Sequence, residues 1–94
     1  MDKVEAMEIL EKELTIFRPK SYLELKNMIG AEPITKETTS DTGTKYQIVI
    51  MAHWDDKPDG DIRVSGSIDD FGLRAYFPLG SDFIMSPEGE FIDE

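Results

Sequence analysis

Apolar residues recur from Val4 to Phe17 at the three- and four-residue spacing of a helix. Met7, Leu10, Leu14 and Phe17 form the stripe, with Val4 one turn earlier, while Glu5, Glu8, Glu11, Lys12 and Glu13 occupy the remaining surface. The pattern predicts a helix over about 3–17, ended by Arg18–Pro19 because a residue before proline is pushed out of the helical region. "SYLE" (Ser21–Glu24) then reads as a capping box, with Ser21 capping the helix and Glu24 reaching back to it. A second, short helix follows over about 22–29, with Gly30 as its C-terminal cap.

After Gly30 the period changes to two. Tyr46, Ile48, Ile50, Ala52 and Trp54 alternate with Gln47, Val49, Met51 and His53. Ile62, Val64 and Ile68 alternate with Arg63, Ser65 and Ser67, and Leu73, Ala75 and Phe77 with Arg74 and Tyr76. One apolar and one mixed face is the mark of an antiparallel sheet packed on one side. The strands predicted are about 33–39 (a polar edge strand, "PITKETT"), 44–54, 61–68 and 73–77, with a closing hairpin over 82–92. "DTGT", "PDGD" and "PEGE" each set a glycine after two turn-forming residues, as in a type I turn followed by a left-handed residue. In the second, Gly60 is expected to take the positive φ.

Helices followed by strands specify an α+β fold: two N-terminal helices packed on one face of a four- to five-stranded antiparallel meander. Ninety-four residues suit a single domain over 1–94, with no repeat or linker. Trp54 belongs by parity to the helix-covered face and is expected in the core.

Composition narrows the chemistry. Without cysteine there are no disulfides, thiolate nucleophiles or Cys-based metal sites. The opening "MDKVEAMEILEKEL" carries acid throughout and has no uninterrupted apolar core, which predicts no signal peptide and a cytoplasmic location. The net charge is −10, and residues 55–94, with eleven acids and three bases, hold −8 of it. Nucleic acids and anionic membranes call for the opposite sign, so neither is an expected partner.

The densest candidate chemistry is "HWDDKPDGD" (His53–Asp61). As an EF-hand loop starting at Asp55 it fails: Lys57 and Gly66 stand where oxygen ligands are required, and strands flank it. Asp55, Asp56, Asp59 and Asp61 could at most form a weaker cation site, and an acidic hairpin turn explains them as well. No cofactor and no metal is predicted. In a meander, this cluster and Asp69–Asp70 lie at opposite ends of a strand roughly 20 Å long. Asp82 falls at the first end, and Asp41 and Glu88 at the second. His53 and Asp55 share a face, so an acid–base pair served by Ser65 or Ser67 is conceivable, although nothing marks either serine as activated. "DFG" (Asp70–Gly72), without the other kinase motifs, is a turn.

The remaining surface is the sheet face turned away from the helices. It carries Met51, His53, Arg63, Arg74 and Tyr76, and Met, Tyr and Arg are enriched in protein interfaces. The expectation is a small acidic, non-catalytic interaction module, inhibitor- or immunity-like. It would meet a basic protein through that face or through Asp55, Asp56, Asp59 and Asp61. The same face could instead join two copies as a homodimer. The alternative is a small hydrolytic or cation-dependent enzyme centred on His53 and Asp55.

Overall fold

The computed structural model describes residues 2–71 and 79–94. Helix α1 spans Lys3–Thr15 and α2 Tyr22–Lys26; strands β1 (Ile34–Thr39), β2 (Lys45–Trp54), β3 (Ile62–Asp69) and β4 (Leu79–Met85) follow. The four strands form one antiparallel sheet in the order β1-β2-β3-β4, with the helices on one face, as the α+β periodicity predicts. The strand expected over 73–77, with Arg74 and Tyr76, lies outside the described residues.

Asp2 caps α1 by accepting a hydrogen bond from the Glu5 amide at 3.0 Å. The helix tightens at its end, where Ile16, Phe17 and Arg18 donate three residues back to Glu13, Leu14 and Thr15, so Ile16 and Phe17 fall in a turn rather than in the α-helix. The capping box of α2 is present in both directions, Glu24 amide to Ser21 Oγ and Ser21 amide to Glu24 Oε1. After Lys26 the chain again tightens through bonds to Leu25 and Lys26 and leaves at Gly30, whose φ is +83°.

The core collects Ala6, Leu10, Leu14 and Phe17 from the first helical segment, Leu25 from α2, and the alternate residues of the sheet from Tyr46 to Met85. The buried stripe is turned slightly from the one expected. Ala6 is inside, Met7 lies on the flank, and Val4 is 70% exposed. The cause is visible where α1 crosses β3. A Cβ on Gly66 would stand 2.8 Å from Leu10 Cδ1 and 3.2 Å from Leu14 Cδ2. The small residues Ala6 and Gly66 let the helix lie close to the sheet, so the line of contact follows the four-residue ridge 6–10–14.

Two polar ties fix the helices along the sheet. The fully buried Tyr46 donates its hydroxyl to Glu5 Oε2 at 2.9 Å, and the Thr42 hydroxyl donates to Glu5 Oε1 at 3.0 Å. Burial, then the bond to Glu5, raises the Tyr46 phenol to about 12, and bonds from Tyr46, Ser40 and Thr42 hold the Glu5 carboxyl below its ordinary value. At the opposite end Arg18 lies over the rings of Phe83 and Phe91 and pairs with Glu94 at 2.7 Å.

The third strand's partner corrects the sequence reading. β3 pairs with Leu79–Met85, Ile62 opposite Met85. "EFID" supplies a single bridge, Phe91 to Met85, instead of a full strand. Glu88 therefore lies at the Asp61 end of the sheet, not beside Asp41 and Asp69. Gly43 and Gly89 take positive φ as the turn grammar predicts, but in "PDGD" it is Asp59, at +66°, that does so, not Gly60. Gly60 closes the turn by donating to the Lys57 carbonyl at 3.1 Å, which places Asp59 at the third position, the one that takes positive φ in a type II turn.

Candidate functional site

Strand register sets the residues of the open face in rows. Met51, Ser65 and Asp82 form one row across β2, β3 and β4, and His53, Arg63 and Ile84 form the next. Their partners on the other face, among them Ala52, Val64 and Phe83, are buried under the helices, which fixes the parity of each row.

Arg63 is the organising residue. Its Nε and NH2 donate to Asp55 Oδ1 at 2.8 and 2.7 Å, and its NH1 donates to Asp82 Oδ2 at 2.7 Å. These bonds, to Asp55 first and then Asp82, raise the guanidinium pKa above its ordinary value. Asp55 begins the loop after β2 and Asp82 sits mid-strand on β4, so one guanidinium links three elements. Met51 beside this cluster is 42% exposed, and His53 is exposed as well.

The acidic loop is divided between two cations. Asp59 pairs with Lys26 at 2.7 Å, and Lys26 Nζ lies 6.0 Å from the centre of the Trp54 ring. The Tyr22 hydroxyl donates to the Gly60 carbonyl at 2.7 Å. Trp54, as parity predicts, packs half-buried against the core. Helix α2 thus holds one side of the loop and Arg63 the other. Asp56 is exposed and Asp61 half-buried, and neither forms an ion pair with a described residue. No group of three or more His, Cys, Asp or Glu is placed to hold a metal ion among the described residues.

The structure thus brings together Met51, His53, Arg63 and Asp55 of the predicted set, and holds Asp59 apart on the α2 side. Arg74 and Tyr76 lie outside the described residues. It adds Asp82 and Ile84, which the sequence reading did not place on this face. The signal was available: in "LGSDFIM" Phe83 and Met85 alternate with Asp82 and Ile84, but dividing the segment between two elements hid the period. Asp55 accepts from Arg63, and among the described residues it makes no hydrogen bond with His53. An acid–base pair of those two residues gains no support from the geometry.

Compared with known proteins, the chain matches no family model, no curated protein and no solved structure, so its chemistry is argued from its own residues. Among the described residues, no helix is long and apolar enough to cross a membrane.

Proposed function

We propose that this chain is a non-catalytic, cytoplasmic interaction module that meets a basic protein through the open face of its sheet and the adjoining acidic loop. The observation that carries the reading is the Arg63 cluster beside exposed Met51. A guanidinium held by two carboxylates on neighbouring elements has already lost most of its rotamer freedom, so docking against it costs little further ordering. Met51 adds an adaptable apolar contact of the kind that interfaces favour. Asp56, exposed and free of ion pairs with described residues, supplies the attraction for a basic partner.

Capture from native lysate with the tagged chain, at low and at moderate salt, tests this. The expected result is one stoichiometric basic partner whose yield falls as salt rises and falls again with Asp56→Lys. Capture indifferent to both salt and that reversal removes the electrostatic argument and the reading with it.

A further inference from the structure

A different surface, the outer edge of β1, carries a second inference. The register shows which backbone groups point outward there. In an antiparallel ladder, residue pairs that exchange hydrogen bonds alternate with pairs that do not. Ser40 donates to Thr44 at 2.9 Å, and Ser40 and Thr44 extend the β1–β2 register in which Thr39 faces Lys45. Stepping by two, Thr38, Lys36 and Ile34 aim their amides and carbonyls at β2. Thr35, Glu37 and Thr39 therefore aim theirs outward. Among the described residues no strand pairs with that side.

Two of the usual protections of an edge strand are missing. From Ile34 to Thr39 it runs as six regular residues paired one to one with β2, without an internal proline or bulge. Beside its first residue opens a cleft of about 140 Å³, where Asn27 and Glu32 join the apolar Met28, Ala31, Ile34, Ile50, Met51 and Ala52 in the lining. A space of about 150 Å³ is large enough for a small ring or one aliphatic side chain, and most of this lining is apolar.

Charge selects the occupant. The segment's only lysine, Lys36, is taken up by Glu13 at 2.8 Å. Glu37 is exposed on the open face, in a row with Gln47 and Asp69, and Glu32 and Asp41 flank the strand. Among the described residues Lys45, opposite Thr39, is the one base on the open-face side of this edge. The balance is acidic, which opposes a second copy of this chain and favours a cation-bearing strand.

We propose that the β1 edge is a strand-addition site for an extended basic peptide segment, which pairs with the outward groups of Thr35, Glu37 and Thr39, sets a lysine or arginine beside Glu37, and places one aliphatic side chain in the cleft next to Ile34. Main-chain pairing gives such complexes affinity, and the alternating side chains give selectivity.

The test titrates two synthetic peptides, alternating Lys/Val/Leu and alternating Glu/Val/Leu, into the isotopically labelled full chain. The basic peptide is expected to shift the Ile34–Thr39 amides and slow hydrogen exchange at Thr35, Glu37 and Thr39, while the acidic one does neither. Glu37→Lys should weaken binding by up to about fivefold, the scale of one exposed ion pair. Thr35→Pro removes an outward N–H, a change tolerated on an edge, and should weaken binding while the β1–β2 ladder stays protected. Equal response to both peptides, or shifts confined to other elements, overturns the proposal. So does slowed exchange at β1 that grows with protein concentration alone, which would mean self-pairing. Met51 borders both the cleft and the open face, so the two readings are separated by Thr35→Pro and Glu37→Lys, which leave Arg63 and Asp56 untouched.

Discussion

Gly66 and Tyr46 show how single residues set the helix–sheet geometry. Gly66 is where Leu10 and Leu14 come closest to the sheet, so Gly66→Ala forces a Cβ into a space already filled. The expected cost is about 1–3 kcal/mol, as for other overpacked cores. It should appear as a lower thermal midpoint, by about 4–8 °C per kcal/mol for a chain of this size. Tyr46 and Glu5 make a pH-dependent tie. The Tyr46 pKa is raised from 10.0 to about 12 on folding, so its contribution is complete below pH 10 and is lost as pH rises toward 12. That of Glu5 is lowered, so its contribution is complete above the ordinary 4.5 and is lost as pH falls below it. Tyr46→Phe should therefore flatten the alkaline decline in the urea midpoint and lessen the acid one. An unchanged profile at both ends would mean that the tie adds nothing to folding.

At the scale of elements, the Arg18 clasp joins the end of the first helical segment to the C-terminal residues. Arg18 lies 5.1 Å from the Phe83 ring centre and 4.8 Å from that of Phe91, whose rings meet edge to face at 5.7 Å. Arg18→Ala should cost about 1 kcal/mol, the scale of one partly shielded cation–π contact, and should raise hydrogen exchange at Ile92, whose amide donates to Ile84. Exchange at Ile92 equal to that of the parent would show that the segment is held without Arg18. This clasp could not be read in advance, because Arg18 is remote in sequence from both rings and no local pattern links them. Periods of 3.6 and two, by contrast, were enough to place α1, β2 and β3 and to assign the buried faces of those two strands, while the capping box placed α2 and polarity marked β1 as an edge. They failed at β4, where Gly80, Ser81 and Asp82 thin the alternation of Leu79–Met85 to Phe83 and Met85. The candidate site inherited that failure. Met51, His53 and Arg63 followed from parity, but Asp82, the second carboxylate on Arg63, needed the correct neighbour for β3.

For the whole molecule, the arrangement separates its surfaces by task. The helices cover one face, the Arg63 cluster and Met51 occupy the other, and the polar β1 edge runs along one side. The excess of acid in 55–94 is partly absorbed by Arg63, Lys26 and Arg18, which leaves Asp56 and its neighbours to set the field near the open face. His53 stands beside Arg63 at the margin of the docking face, so His53→Ala should leave stability unchanged and lower partner capture only slightly. Loss of capture in that variant would move the site's centre to the histidine. The most direct test of the central claim is oxidative footprinting of Met51 in the chain alone and in the complex recovered at low salt. Met51 is 42% exposed in the isolated chain, and the account predicts that its oxidation slows sharply in the complex while modification of Val4, on the far side of α1, is unaffected. Met51 oxidised at the same rate in both states would contradict it.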